Sequence, residues 1–234
     1  MEMSTKSILS ENSSINGENC CFCTEFEIGT MPAEFQSKSQ IARRTIAETG
    51  EFIAIPSVSP LRMGHLLTLP KRHITSALQF DHKSRLEFIN FTSELSKDVS
   101  KSLGPTIFFE HGVAPGSGGG CGVDHAHWHI LPCSEDEFNS LVNEVEFDFP
   151  ALSWTTFEHL NSDKYDRHSY LLLGQTCEKI AFSTASVIPS QYLRQKIASI
   201  FGLDQWNWRE HSHWEDFDET YQTLTNLHQR KSAA

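Results

Sequence analysis

The sequence predicts an α+β fold in which helices pack on an antiparallel β-sheet. Two short apolar runs, at residues 51–55 and 64–70, lie on either side of a turn and have the length of strands. Between residues 81 and 103 apolar residues recur at helical spacing, and Gly104 and Pro105 end that helix. Residues 125–131 alternate histidine with apolar side chains, which is typical of a strand whose two faces differ.

Further elements follow the same kinds of signal. Pro189 before an apolar-periodic segment and Gly202 after it bound a convincing helix in the last third of the chain. The other predicted elements are a strand at 106–109, a glycine-rich loop at 112–122, a hairpin of 169–173 with 179–182, and helices at 190–201 and 217–228.

The chain divides into three parts by composition. Residues 1–18 are rich in Ser, Asn and Glu and are predicted to be a disordered tail. Residues 19–149 are predicted to form the main folded domain. Residues 150–234 are predicted to form a C-terminal α/β extension that packs on it.

Charge and cysteine content exclude several classes of protein. The chain has 19 basic and 30 acidic residues, a net charge of −11, so it lacks the basic footprint of a general nucleic-acid binder. No stretch has the ~20 apolar residues that span a membrane, and the polar start has no signal-peptide core. Six unevenly placed cysteines are too few for a disulfide scaffold. We therefore expect a cytoplasmic protein.

The histidine-bearing strand is the strongest functional signal. In a strand, His125, His127 and His129 would share one face at a spacing of about 7 Å, while the apolar residues between them fill the other. Imidazole suits nucleophilic, acid–base and metal-binding work near neutral pH. Three adjacent rings that are easily hydrated are difficult to explain as core packing alone.

This segment resembles the signature of the histidine-triad (HIT) family, in which three histidines alternate with apolar residues. The block at 52–73, which ends Pro70-Lys71-Arg72-His73, is similar to a second motif of that family, and the pair Cys20 and Cys23 to a cysteine pair near its start. The resemblance covers roughly residues 20–135 and implies a HIT-like fold. It does not reach the extension.

The resemblance also implies a chemistry and the residues that perform it. His127 matches the nucleophile that attacks a nucleotide phosphorus and forms a covalent intermediate, and His129 matches a histidine that contacts phosphate or the leaving group. The glycine-rich loop, with Gly120, Cys121 and Gly122, would approach the phosphate with its backbone N–H groups. Glu110 falls at a further position that faces the substrate in the family.

Zinc is a second implication of the resemblance. In zinc-bearing members the ligands correspond here to Cys20, Cys23, His73 and His125, a donor set that suits closed tetrahedral Zn²⁺ with a structural role. Cys21 is an alternative to Cys20 as a ligand. In zinc-free members the histidines that correspond to His73 and His125 instead form hydrogen bonds with backbone groups.

The chain departs from the family pattern around the substrate. Ser57 aligns with an aspartate that binds ribose, Glu110 with an asparagine, and Cys121 and Gly122 replace side chains that contact the reacting phosphate. Other groups could bind the phosphate instead, although solvated surface charge is their commoner role: Arg43, Arg44, Lys71, Arg72 and His111. The pair Trp206 and Trp208 is interpreted as core packing of the extension.

Three functions remain open from the sequence. The first is a hydrolase that cleaves a nucleotide phosphoramidate or phosphoanhydride. The second is a nucleotidyltransferase or phosphorylase that passes the nucleotidyl group to an acceptor, and the third is a non-catalytic, zinc-stabilised nucleotide-binding module. The expected partner is a small nucleotide, with no membrane partner. Both a homodimer, joined sheet edge to sheet edge, and a monomer, with that edge covered by the extension, are compatible with the sequence.

Overall fold

The computed structural model of the protein describes residues 20–113, 122–160, 162–165 and 168–232. The predicted tail at 1–18 lies outside these residues. Within them, eight strands form one antiparallel sheet in the order β1-β2-β3-β5-β4-β7-β8-β6. The strands are β1 (Ala47–Glu48), β2 (Phe52–Pro56), β3 (Leu66–Pro70), β4 (Thr106–Gly112), β5 (Trp128–Pro132), β6 (Ser153–Thr155), β7 (Ser169–Thr176) and β8 (Lys179–Ala185).

Helices cover both faces of this sheet, so the predicted α+β fold with an antiparallel sheet is confirmed. The helices are α1 (Cys21–Ile28), α2 (Ala33–Gln36), α3 (His82–Leu103), α4 (Glu135–Asp148), α5 (Ser162–Tyr165), α6 (Tyr192–Ile200) and α7 (Trp214–Ser232). None of the helices in the described ranges is both long enough and apolar enough to cross a membrane.

The long helix α3 begins and ends where its sequence signals lie. The Asp81 side chain accepts a hydrogen bond from the backbone N–H of Ser84, which satisfies a donor of the first turn. At the other end Gly104 adopts a positive φ of 88°. The apolar stripe of α3 packs against one face of the sheet, which we call the α3 face.

The opposite face carries the histidines, and we call it the histidine face. Odd-numbered residues of β4 and β5 lie on it, where Ile107, Phe109 and Leu131 pack beneath α4 and α6. Over β2 and β3 the same face is covered by α1, through Phe22. The gap between α1 and the pair α4 and α6 is where the cavity described below lies.

The segment beyond residue 150 extends the sheet itself. Strand β7 pairs with β4 from Phe108 opposite Gly174 to Gly112 opposite Tyr170. Strands β8 and β6 follow β7 outward. Both edges of β4 are therefore occupied, one by β5 and the other by the extension.

Candidate active site

A hydrogen bond to the backbone decides which ring nitrogen of His127 carries the lone pair. Its Nδ1 lies 2.6 Å from the carbonyl oxygen of His125, which can only accept, so the ring hydrogen is on Nδ1. Nε2 therefore carries the lone pair. The sequence predicts one strand that carries all three histidines. The observed strand β5 begins only at Trp128, so His125 and His127 lie before it and His129 lies in it.

His129 is held by a second histidine from β3. The Nδ1 of His65 accepts from the backbone N–H of Leu61 at 3.1 Å, so its Nε2 carries the hydrogen. That Nε2 lies 2.8 Å from Nδ1 of His129 and donates to it. The neutral His129 ring consequently has its hydrogen on Nε2. Phe109 stacks on the same ring with centroids 4.3 Å apart and fixes its plane.

Burial keeps these rings neutral. Loss of hydration lowers the pKa of His127, and it lowers the pKa of His65 and of His129 well below the usual range. The positive charge of Arg194 acts in the same direction on all three. A neutral His127 is the nucleophilic form.

A small cavity opens beside His127 and His129. One wall is apolar and consists of Phe22, Phe35, Val58, Leu67, Val123 and Trp208. The polar groups around it are Cys21, Arg44, Ser57 and Arg194, in addition to the two histidines. A cavity lined by apolar side chains with a few polar groups has the character of a small-molecule site.

The structure corrects the interpretation of Glu110 as a substrate contact. Glu110 lies on the α3 face, buried, where its carboxylate accepts from Tyr170 Oη at 2.5 Å, Trp128 Nε1 at 3.1 Å and the backbone N–H of Ala77 at 3.2 Å. It is separated from the cavity by the thickness of the sheet. A one-residue shift in strand register accounts for the error, since neighbours point to opposite faces.

His111 is the residue of β4 that shares the histidine face near His127. Continuing the pairing of Phe109 with His129 places His111 opposite His127. It is 5 % exposed, and within the described residues neither of its ring nitrogens has a hydrogen-bond partner. Burial, with a contribution from His127, lowers its pKa to about 4.

The predicted phosphate loop is only partly described. Gly120 and Cys121 lie outside the described residues. Gly122 has a φ of 85°, a conformation that favours glycine. Its carbonyl oxygen accepts from Nη2 of Arg209 at 3.0 Å, and that guanidinium occupies the space a Cβ would need. Thus the extension also contacts the end of this loop.

The four predicted zinc ligands lie together. Their ligand atoms, from Cys20, Cys23, His73 and His125, are all within 4.8 Å of one another. The Sγ to Nδ1 distances are 3.3 Å and 3.6 Å from Cys20 and Cys23 to His125, and 3.4 Å from Cys23 to His73. Bond lengths of 2.3 Å to sulfur and 2.0 Å to nitrogen at a tetrahedral angle give about 3.5 Å between such atoms. The donor set therefore fits Zn²⁺.

The orientation of His125 supports the same site. Its Nε2 lies 2.8 Å from the carbonyl oxygen of Pro70, so Nε2 carries the hydrogen and Nδ1, on the cysteine side, has the lone pair. Cys21 instead lines the cavity. Of the two alternatives, Cys20 is thus the better placed ligand.

Two side chains of the extension reach the cavity. Arg194 comes from α6, and Trp208 from the segment before α7. Trp206 packs against the core beneath α4 and α6, as predicted for the pair, but Trp208 lines the cavity. Nothing local in the sequence marks Arg194, because its approach depends on how α6 packs against the loop at Ser59.

Comparison with known proteins agrees with this arrangement. A family profile described as HIT domain matches residues 38–136. Residues 38–136 thus form a HIT domain. An adenosine 5′-monophosphoramidase of Schizosaccharomyces pombe is 29% identical over 103 residues, which are 43% of this chain and 72% of that protein. Protein HitA of Neisseria gonorrhoeae is 28% identical over 116 residues, 49% of this chain and 95% of that protein.

One solved structure gives a more distant similarity. A protein of Sulfolobus tokodaii described as a hypothetical histidine triad nucleotide-binding protein matches with 21% identity and a TM-score of 0.39, over 50% of this chain and 70% of that chain. The HIT match covers residues 38–136, so Cys20 and Cys23 lie before it, and Arg194 and Trp208 lie after it. The family assignment accordingly covers the histidines but not every group around the cavity.

Proposed function

We propose that this protein is a hydrolase of a nucleotide phosphoramidate or phosphoanhydride, and that the reaction passes through a nucleotidyl group bound to His127. The observation that carries the proposal is the hydrogen bond from Nδ1 of His127 to the His125 carbonyl, which leaves the Nε2 lone pair on a ring beside the cavity. The relative named as an adenosine 5′-monophosphoramidase supports a phosphorus–nitrogen substrate bond.

The steps follow from the positions of these groups. Nε2 of His127 forms a bond to the α-phosphorus, and the bond from phosphorus to the leaving group breaks, with its electron pair departing on that group. The Nδ1 hydrogen bond to the carbonyl stabilises the positive charge on the phosphorylated ring. His129, with its hydrogen on Nε2, donates to a phosphoryl oxygen or to the leaving group. Water then attacks phosphorus, breaks the N–P bond and restores His127.

Covalent labelling tests this proposal. The protein is incubated with α-labelled ATP, GTP and dinucleotides, quenched in alkali and assayed for acid-labile label. We expect label on the wild type and none on His127→Ala. His82→Ala is the matched control, because His82 is exposed on α3, and it should keep the label. Label that persists in His127→Ala would overturn the proposed intermediate.

The same experiment separates the alternatives. Release of the label to water supports hydrolysis, whereas its transfer to an added acceptor supports a nucleotidyltransferase or phosphorylase. Absence of label with every nucleotide, and of turnover of adenosine monophosphoramidate, supports the non-catalytic binding module.

We also propose that Cys20, Cys23, His73 and His125 hold a structural Zn²⁺. When bound, the metal would cross-link α1 to the segment that carries His127, and it would take no part in bond making. Metal analysis should give about one equivalent of zinc per wild-type chain and much less in Cys23→Ser.

Cys21→Ser is the matched control for the zinc experiment, since Cys21 is adjacent but outside the cluster. It should retain the metal. If wild-type protein purified without chelators carries no zinc, the proposed site is wrong. If Cys21→Ser loses zinc, Cys21 is a ligand and the proposed set of cysteines is wrong.

A further inference from the structure

Two guanidinium groups reach the cavity, and they differ in their surroundings. Arg44 forms a buried, two-bond ion pair with Glu25, with Nε to Oε1 at 2.8 Å and Nη2 to Oε2 at 2.7 Å. Its Nη1 donates to the carbonyl oxygen of Pro56 at 2.8 Å. A carboxylate at this distance offsets most of the attraction that Arg44 would exert on an anion in the cavity. Arg44 thus serves mainly to hold α1 in place.

Three described contacts of Arg194 are with uncharged groups of the chain. Its Nε donates to the carbonyl oxygen of Trp206 at 3.1 Å. Its Nη2 donates to the carbonyl oxygen of Ser59 at 2.9 Å and to the Ser59 hydroxyl at 3.2 Å. The side chain is 2 % exposed. These contacts fix the plane of a guanidinium, the side chain whose fork of donors matches phosphoryl oxygens.

The charge of Arg194 acts on the catalytic histidines. It lowers the pKa of His127, His129 and His65, so its field extends over the whole imidazole group. Because the region is buried, solvent screens that field weakly. A phosphoryl group attacked by His127 carries negative charge in the same field and is stabilised by it.

We propose that Arg194 binds the phosphoryl oxygens of the substrate while His127 attacks, so that the C-terminal extension completes the active site. This inference rests on the proposed function. It accounts for the departures at Cys121 and Gly122, where the chain lacks side chains that the family resemblance leads us to expect on the phosphate. In this chain a cation from outside the HIT match supplies the missing contact.

The test compares the binding of AMP and adenosine by calorimetry, because the two ligands differ only in the phosphate. Wild type should bind AMP about tenfold to a hundredfold more tightly than adenosine. In Arg194→Gln that difference should disappear while adenosine affinity stays the same. Arg194→Lys, which keeps a charge but loses the planar fork, should retain part of it.

Lys196→Gln is the matched control. Lys196 is a cation on the same helix, but it pairs with Asp148 at 2.9 Å and Glu144 at 3.3 Å, away from the cavity. It should leave the ratio of AMP to adenosine affinity unchanged. A folded Arg194→Gln that keeps the wild-type ratio would overturn the proposal.

Failure of this inference can be told from failure of the proposed function. Covalent label on wild type, together with an unchanged affinity ratio in Arg194→Gln, removes Arg194 alone. Absence of label and turnover, together with loss of the ratio in Arg194→Gln, removes the enzymatic proposal and keeps Arg194 as a phosphate-binding residue.

A wild-type measurement covers the case in which the Arg194 variants do not fold. The second pKa of a free phosphate monoester is about 6, and a nearby cation favours the dianion. The ³¹P shift of bound AMP should therefore titrate below that value. A pKa that is unchanged or raised on binding would contradict a direct contact with Arg194.

Discussion

The three histidines of the triad have different roles because their second ring nitrogens have different partners. His125 donates from Nε2 to a backbone oxygen and offers Nδ1 to the cysteines. His127 donates from Nδ1, so its lone pair is on Nε2. His129 accepts at Nδ1 from another imidazole. One hydrogen bond to each ring thus makes three identical side chains candidates for three different roles: metal ligand, nucleophile and hydrogen-bond donor.

Glu110 leads to a prediction about pH and stability. Burial raises its pKa to about 7, from an ordinary value of 4.5. Below pH 4.5 the carboxyl is protonated in both states, and its contribution is complete. As pH rises from about 4.5 to 7 the unfolded chain ionises first, so folding loses free energy on the order of 3 kcal/mol. Glu110→Gln, which cannot ionise, should lose none of it.

The measurement is urea unfolding of wild type and Glu110→Gln at several pH values between 4.5 and 8. The histidines are present in both proteins, so their effect on stability cancels when the two proteins are compared. As pH rises, the unfolding free energy of wild type should fall relative to that of Glu110→Gln. Parallel curves for the two proteins would show that the folded carboxyl has an ordinary pKa.

Glu110 and His111 also show where sequence inference reaches its limit at this scale. The sequence predicts a strand at 106–109, which in the structure continues to Gly112, and it names both residues as possible substrate contacts. Which of the two faces the substrate depends on strand register, and one residue reverses the answer. The glycine-rich segment between His111 and the triad has no pattern that fixes this register.

At the scale of elements, the turn that precedes β3 has room for glycine but not for a larger residue at position 64. Gly64 has a φ of 89°, and a Cβ there would lie 2.5 Å from Cδ1 of Leu103 and 2.9 Å from Cγ of Pro132. The next residue is His65, which orients His129. Gly64→Ala should reduce the free energy of unfolding by about 1–3 kcal/mol. It should also lower turnover more than the stability loss explains.

Gly50→Ala provides the comparison for that variant. Nothing lies within 4 Å of a Cβ at Gly50, and its φ is not in the left-handed range. Urea unfolding should give a change of less than about 0.5 kcal/mol there. Equal effects of the two substitutions would contradict the steric account.

Helix α4 shows which elements sequence patterns can reveal. The sequence interpretation missed it, although Ser134 and Glu137 form a complete capping box at its start. Its first turn is acidic, and Phe138, Leu141 and Val145 form a buried stripe at helical spacing. The signal was present and local. By contrast, strand β6 is three residues long and exposed, and only its pairing with β8 defines it.

For the whole molecule, the sheet order bears on assembly. Strand β4 has β5 on one edge and β7 on the other, so it cannot pair with a second chain. The outer strands of the sheet are β1 and β6, with two and three residues, too short to join sheets stably. We expect a monomer. Light scattering at micromolar concentration should give the mass of one chain, and a mass of two chains would contradict this.

The parts of the site that sequence reasoning could not find are those that tertiary packing brings together. The triad, the cysteines and His73 carry recognisable spacing. Arg194 is one arginine in an ordinary amphipathic helix, and only the docking of α6 against the loop at Ser59 places it at the cavity. Such a contact joins residues about 135 positions apart and leaves no local trace.

The late position of β7 in the chain has a consequence for biosynthesis. The ribosome releases β4 roughly sixty residues before the strand that pairs with its outer edge. At about 5–20 residues per second, that edge stays uncovered on the nascent polypeptide for several seconds. During that interval it can join other extended segments, so slow or stalled translation before β7 would favour aggregation of the unfinished chain.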